Sequence, residues 1–154
     1  MAFDFDYGDN MPAAYEGQIA NMVPATFISR TVEDTALPMG KPAAQGANDF
    51  GCHPFGSDDD AVIGIASRDR SAKPETPDSF DVGESARLMT QGAIWVRVSS
   101  DVTVGDPVTV TSAGSFSASG GTTVAGARFD TSADADGLAL VRMTGGITDT
   151  TSAA

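Results

Sequence analysis

Apolar and polar residues alternate along short runs of this chain, and most runs end in a turn signal. The runs ATFISRTV (25–32) and AIWVRVS (93–99) alternate with the period of two expected of a half-buried strand. Seventeen glycines and eight prolines interrupt the chain so often that the longest stretch free of both is 25–37. This spacing excludes long helices. It predicts strands at 25–32, 61–67, 85–90, 93–99, 107–112, 123–129 and 138–144.

An internal repeat supports a fold built from strands. Residues 82–94 and 104–116 align without gaps and share the pattern V-G-[ED]-x-[AV]-x-[LV]-x-[ST]-x-G-x-apolar. Each copy predicts a turn, a strand, a glycine turn and a returning strand, so we expect two hairpins. The fold class predicted is all-β, either a small β-barrel or a β-sandwich with an extended N-terminal arm. The alternate positions expected to face the core are Ala86, Leu88, Val108 and Val110.

The chain divides into three parts by composition. Residues 1–24 scatter aromatic side chains among Asp, Gly, Asn and Pro without a lasting period, which predicts an N-terminal arm that lies across its own domain or another subunit. Residues 25–144 form the predicted β domain. Residues 145–154 are small and polar, which predicts a flexible tail. The aromatic anchors expected in the arm are Phe3, Phe5, Tyr7 and Tyr15.

The charge of the chain restricts its partners. Twenty-one acids against nine bases give a formal net charge of −12, and the bases form no cluster. Such a surface repels phosphate backbones and anionic membranes, so we expect neither nucleic acid nor membrane as a partner. The first residues carry acids where a secretory signal needs bases, and no apolar run approaches the length of a membrane span. We therefore expect synthesis in the cytoplasm.

Residues able to perform chemistry are few and badly placed for it. His53 is the only histidine and Cys52 the only cysteine. Adjacent side chains on an extended chain point to opposite faces, so this pair is a poor metal site. The acidic runs 57–60 and 130–137 could offer oxygen ligands to calcium, but no glutamate closes the loop, so solvated turns are the simpler interpretation. We expect no enzyme activity, no cofactor and no metal.

The segment around Trp95 predicts an interaction surface. Ile94, Val96 and Val98 share one face of the strand, and this face is expected to be the core face. Trp, Arg and Met are enriched at protein interfaces, and these types occupy the opposite face. A second sheet that covers this face is the alternative. The interface candidates are Trp95 and Arg97, with Arg87 and Met89 pointing the same way on the preceding strand.

Six sequence motifs of this chain are specific when their order and spacing are considered together. They are PAAYEGQIA (12–20), FISRTVE (27–33), VIGIASRD (62–69), FDVGESARLMTQGAIWVRV (80–98), VGDPVTV (104–110) and VAGARFDTSADADGLALVRM (124–143). With these motifs the chain resembles the structural cement, or capsid decoration, proteins of tailed bacteriophages. The resemblance runs from Met11 to about Met143. The segment 46–60 lacks any pattern of the family.

The resemblance implies a β-rich protein that is neither an enzyme nor bound to a cofactor. Its place would be the virion, on the outer surface of the capsid, after synthesis in the host cytoplasm. Its partner would be the major capsid protein, whose neighbouring copies it would bridge against the internal pressure of the DNA. Closed symmetry is expected, because a capsid lattice offers two-fold and three-fold positions, and we expect a homotrimer rather than a homodimer. The alternative is a sugar- or receptor-binding β module of a phage fibre or tail.

Overall fold

The structure is a computed structural model that describes residues 14–59, 61–70 and 72–144. Within these ranges the chain forms strands and no helix, so no helix there could span a membrane. The all-β fold predicted from the alternation is confirmed. The strands are β1 (Thr26–Val32), β2 (Leu37–Pro38), β3 (Pro42–Gln45), β4 (Gly51–Pro54), β5 (Gly64–Ala66), β6 (Ser79–Phe80), β7 (Ser85–Arg97), β8 (Pro107–Val110), β9 (Phe116–Ser117), β10 (Thr122–Phe129) and β11 (Leu138–Met143).

Five strands close into a barrel in the order β1-β4-β3-β5-β7, because β7 pairs again with β1. β1 runs antiparallel to β7 from Thr26 opposite Gln91 to Thr31 opposite Ser85. On its other side β1 pairs with β4 only at Thr31 and Val32. Among the residues that the structure describes, the barrel wall is therefore continuous at one end of β1 and open along the rest of that strand.

The second half of β7 begins another sheet, which continues through β11, β10, β8 and β9. This sheet curls back on itself, because Val98 forms a bridge with Phe116 in β9. The amide of Ser99 donates to the carbonyl of Phe116 at 2.9 Å. β7 is thus a strand of both the barrel and the curled sheet.

Two hydrophobic cores follow from this arrangement. The barrel core lies inside the five-stranded ring, and the β2–β6 ribbon contributes Leu37 and Phe80 to it. The second core lies between the curled sheet and residues on the other face of β3 and β5, namely Ala44 and Ile65. The strands of the barrel contribute Val32, Ala43, Cys52, Ala66, Ala86 and Leu88 to the first core. Large buried side chains of the second core are Phe116, Phe129, Met89, Ile94, Val96 and Val141.

The predicted hairpin over 85–99 is wrong, because β7 runs without a break from Ser85 to Arg97. Gly92, expected in a turn, lies inside the strand with a φ of 131°. The pairing of β7 with β1 slips by one residue between Met89 and Gln91. A one-residue slip exchanges the two faces of a strand. Met89 therefore points into the second core rather than outward with Trp95. The other copy of the repeat does form a hairpin, from β8 and β9.

Candidate interaction surface

The end of the predicted N-terminal arm lies on the chain's own domain. The amide of Gly17 donates to the carbonyl of Trp95 at 2.8 Å, and the amide of Trp95 donates to the carbonyl of Gln18 at 3.0 Å. The amide of Ala20 donates to the carbonyl of Ala93 at 3.0 Å. Residues 17–20 thus pair with β7 on the same side of that strand as β1 does. Phe3, Phe5 and Tyr7 lie outside the described residues, so their role as anchors stays a prediction.

Two arginines hold this N-terminal segment in place. The amide of Arg68 donates to the carbonyl of Gly17 at 2.7 Å, and its Nε donates to the carbonyl of Glu16 at 3.1 Å. Arg97 Nε donates to the carboxylate of Glu16 at 2.5 Å. The ring of Tyr15 remains 66% exposed, with the guanidinium of Arg68 at 5.7 Å from its centroid. Tyr15 is therefore presented to solvent from an anchored backbone.

A groove of about 660 Å³ opens beside this segment. Its apolar lining comes from Ala14, Pro38, Met39 and Leu138. The charged groups around it form ion pairs: Arg68 Nη1 lies 2.5 Å from Asp78 Oδ1, and Arg97 bonds Glu16. Each cation is thus neutralised by a carboxylate, which leaves the groove suited to apolar side chains more than to a charged ligand.

The outer face of β7 and β11 adjoins the groove. Leu140 pairs with Trp95, and Leu138 pairs with Arg97, so their side chains share one face. Trp95, Leu138 and Leu140 are half-buried, whereas the inward-pointing Ile94 is fully buried. We call Trp95, Arg97, Leu138 and Leu140 the Trp95 face. The outward position of Trp95 and Arg97 is the one that the alternation predicts.

The other two sequence candidates on β7 lie apart from this face. Arg87 is at the opposite end of the strand, where its guanidinium covers the ring of Phe27 at 3.8 Å from the centroid. Met89 is fully buried, so its assignment to an interface is wrong. The structure therefore brings Tyr15, Trp95 and Arg97 together at one end of the barrel.

A second surface, missed by the sequence interpretation, surrounds Phe50. This residue is 71% exposed, and the guanidinium of Arg30 lies 5.5 Å from its ring centroid. The amide of Thr31 donates to the carbonyl of Phe50 at 2.8 Å, which fixes the loop against β1. The segment 46–60 has no period, so its sequence gives no sign of which residue lies at the surface.

The loop before β4 is held by the carboxylate of Glu33. This carboxylate accepts hydrogen bonds from the side-chain amide of Asn48, from the Ala47 amide at 2.7 Å and from the Asn48 amide at 3.3 Å. The bond from the Asn48 side chain, followed by those from the two backbone amides, lowers the pKa of Glu33. The ionised carboxylate thus organises residues 46–51.

The sole cysteine and histidine show no metal-binding geometry. Cys52 is fully buried in the barrel core, and burial together with the charge of Glu33 raises the pKa of its thiol to about 11. The neighbouring His53 lies near Pro54 O (2.9 Å from Nδ1) and Asp59 Oδ1 (3.4 Å from Nε2). Over residues 14–59, 61–70 and 72–144, no three His, Cys, Asp or Glu side chains are grouped as ligands would be.

The barrel has the fold of proteins found in bacteriophage particles. A structure described as the capsid of Myoviridae Phage XM1 aligns with a TM-score of 0.71 and 18% identity, covering 94% of this chain and 99% of that chain. The head fiber gp8.5 N base of bacteriophage phi29 aligns with a TM-score of 0.54 and 14% identity, covering 82% of this chain and 99% of the other. No curated protein sequence matches the chain.

A family model gives the more specific assignment. The model described as structural cement protein (E217 gp24/Pam3 gp6) matches residues 3–144. The chain therefore belongs to the structural cement protein family of phages, and its role is structural, within the virion.

Proposed function

We propose that this protein binds the outer surface of the assembled capsid and bridges neighbouring major capsid proteins, without enzymatic activity. The match to the cement family over residues 3–144 is the observation that carries the proposal. The protein is made in the host cytoplasm and joins the particle there. A ligand that binds only the assembled lattice stabilises it by mass action, so the shell resists the pressure of its DNA.

The Trp95 face and the adjoining groove form the proposed capsid contact. Trp95, Leu138 and Leu140 offer partly exposed apolar area, and Tyr15 stands beside them on the anchored N-terminal segment. Aromatic side chains supply a large part of interface energy because they bury much surface at a small entropy cost. Arg97, in its ion pair with Glu16, adds a polar group at the edge of this apolar area. The combination fits a protein surface.

Several copies acting together would strengthen a modest contact. A symmetric oligomer that touches several capsid subunits gains from multivalency. We propose a homotrimer in preference to a homodimer, because a capsid lattice offers three-fold positions and closed symmetry is the usual form of homo-oligomers. The net charge of −12 keeps unbound copies from associating at random.

Sedimentation with capsids that lack this protein tests the proposal. Wild-type protein should pellet with expanded capsids, and decorated particles should release DNA at a higher temperature than bare ones. A Trp95→Ala, Leu140→Ser double variant should stay in the supernatant while keeping its circular dichroism spectrum. Val82→Ala is the matched control, because Val82 is an exposed apolar residue (54%) in the turn before Ser85, at the opposite end of β7 from Trp95. Wild-type protein that fails to pellet would overturn the proposed function.

A sugar- or receptor-binding module of a fibre is the second candidate, favoured by the similarity to a head fiber base. The copy number in purified virions separates the two. A number near that of the major capsid protein supports cement, whereas a handful of copies supports a fibre part. Binding to a glycan array would likewise favour the second candidate.

A further inference from the structure

We propose that the open edge of β1 is a second capsid contact, to which an extended, carboxylate-bearing segment of a neighbouring capsid subunit adds as a strand. The inference deepens the proposed function, on which it rests for the identity of the partner. A protein that bridges two subunits needs two contact surfaces, and the Trp95 face supplies only one. We call the second surface the β1 edge; its residues are Phe27, Ser29, Arg30, Phe50 and Arg87.

One side of β1 lacks a neighbouring strand along residues 26–30, within the part of the chain that the structure describes. β4 pairs with β1 only at Thr31 and Val32. The Val32 amide donates to the carbonyl of Glu84 on the β7 side, whereas the Thr31 amide donates to the carbonyl of Phe50 on the opposite side. The open side of β1 is therefore the side that β4 and Phe50 occupy at its far end.

The backbone groups of Phe27 and Ser29 point to this open side, because their direction alternates along a strand. Ser29 is exposed, and its carbonyl accepts a hydrogen bond from Arg30 Nη1 at 2.9 Å. The Ser29 amide and both backbone groups of Phe27 face no partner strand among the described residues. Backbone groups left open along a strand edge bind extended peptides as an added strand.

Two arginines flank the exposed backbone of Ser29. Arg87 lies opposite Ser29 on β7, and its guanidinium is 3.8 Å from the ring centroid of Phe27. The guanidinium of Arg30 is 5.5 Å from the ring centroid of Phe50, and its Nε is buried without a hydrogen-bond acceptor in the described chain. Buried donors are nearly always bonded, so the Arg30 guanidinium retains capacity for a further acceptor.

Neither of these arginines has a carboxylate partner among the described residues. The carboxylate of Glu33, at the end of β1, bonds the amides of Ala47 and Asn48 instead. Other bases of the described chain do form ion pairs, namely Arg68, Lys73, Arg97 and Arg142. Two unpaired cations beside an open strand edge favour an occupant that carries carboxylates, because complementary charge selects the partner of an interface.

The β1 edge also presents an aromatic side chain on a fixed backbone. Phe50 is 71% exposed, while its carbonyl is held by the Thr31 amide at 2.8 Å. Aromatic side chains presented in this way are typical anchors of protein interfaces. An added strand that alternates apolar and acidic residues would pack one face against aromatic rings and direct its carboxylates to the arginines.

A second copy of this chain fits the β1 edge poorly. Pairing of two β1 strands about a two-fold axis would bring the same arginines of both copies together, and like charges across a sheet are destabilising. The position of the edge suits a bridge instead. Arg87 and Trp95 lie eight residues apart on β7, roughly 26 Å at the usual rise of a strand. The two surfaces thus lie far enough apart to contact different subunits.

A proline at the edge tests the inference. Ser29→Pro removes the amide donor on the open side and leaves the ladder with β7 in place, and edge strands tolerate proline. Ser29→Thr is the matched control, because it keeps the amide. Binding to expanded capsids that lack this protein is measured by sedimentation over a range of concentrations. Ser29→Pro should bind roughly a hundredfold more weakly than Ser29→Thr, because one of two linked contacts is lost.

Charge removal provides a second measurement that leaves the backbone unchanged. Arg87→Gln should weaken binding about tenfold, the effect of losing one charge-assisted hydrogen bond. Arg128→Gln, at an exposed arginine on β10, should bind like the wild type. Val82→Ala should also bind like the wild type, because the turn 81–84 bonds β1 from the β7 side.

Photochemical cross-linking identifies the occupant. A benzophenone-bearing amino acid replaces Phe50, and the decorated capsids are irradiated and digested for mass spectrometry. We expect a cross-link to an acidic segment of the major capsid protein. A cross-link only to another copy or to the same chain would overturn the inference, as would equal binding of the two Ser29 variants while the wild type pellets. Wild-type protein that does not pellet would instead contradict the proposed function, and with it the partner named here.

Discussion

Gly17 and Gly40 meet backbone to backbone where the N-terminal segment crosses the barrel. A Cβ on Gly17 would lie 2.8 Å from the amide nitrogen of Gly40, and a Cβ on Gly40 would lie 2.7 Å from that of Gly17. Both residues have positive φ, 79° and 83°. Only glycine satisfies both conditions, because a side chain would add steric overlap to a strained backbone. This contact sets the position of Tyr15.

Gly17→Ala should lower the free energy of unfolding by about 3 kcal/mol, because it combines left-handed strain with the clash against Gly40. Urea denaturation followed by tryptophan fluorescence measures the change. Gly83→Ala is the control: φ is 89° there, and nothing lies within 4 Å of the added Cβ. That variant should lose about 1 kcal/mol. Equal losses would mean that the contact between the two glycines contributes nothing.

Met89→Ala should lower the free energy of unfolding by about 3 kcal/mol, since it leaves a cavity in the second core. Thermal or chemical denaturation of the purified variant is the measurement. Met22 is fully exposed, so Met22→Ala serves as the matched control with a change within about 0.5 kcal/mol. A Met89 variant as stable as the control would contradict the burial of this residue in the second core.

Cys52 should resist thiol reagents at pH 8 until the barrel unfolds, because its side chain is buried and its pKa is raised to about 11. Labelling with a chromogenic disulfide in native and denaturing buffer measures this. The exposed thiol of a Ser29→Cys variant provides the fast reference. Rapid labelling of the native wild type would contradict a closed barrel core.

The raised pKa of Cys52 makes the free energy of unfolding depend on pH, and the sign of this dependence is defined. A raised pKa in the folded state means that the neutral thiol is favoured on folding, so its contribution is fully present below the ordinary thiol pKa of 9.0. Stability should therefore fall as the pH rises from about 9 towards 11. Cys52→Ala should remove this part of the alkaline decline.

Glu33→Gln should loosen the loop 46–51 at neutral pH, since a carboxamide oxygen replaces the carboxylate that accepts three hydrogen bonds. Hydrogen exchange at the amides of Ala47 and Asn48 should become faster. In the wild type the pKa of Glu33 is lowered, so the same loosening should occur as the pH falls below the ordinary glutamate pKa of 4.5 and through the folded-state pKa. Glu75→Gln, at an exposed site, should leave both amides unchanged.

The strands with clear alternation could be predicted from sequence, and β1, β8, β10 and β11 lie where the pattern places them. β2, β3 and β4 could not, because they are short, contain proline and consist largely of small residues. Local sequence predicts a turn at Gly92. Pairing with neighbouring strands on both sides of β7 instead keeps the strand continuous there.

In the candidate surface, too, the residues placed by their own strand could be predicted from sequence, whereas those placed by contacts with distant parts of the chain could not. Trp95 and Arg97 follow from the alternation of a single strand. Met89 was misplaced because a slip in pairing against β1, more than fifty residues earlier, decides its face. Phe50 and Glu33 were missed because their positions depend on contacts between a loop and β1 that no local pattern encodes.

β7 joins the barrel and the curled sheet through one thirteen-residue strand. β1 holds its first part and β11 its last part, both in antiparallel ladders. A force that pulled the two halves of the molecule apart along β7 would act in shear, and many hydrogen bonds would have to break together before either half separated. If the protein bridges capsid subunits as proposed, a swelling shell would load both halves of the molecule as one mechanical unit instead of peeling one half from the other.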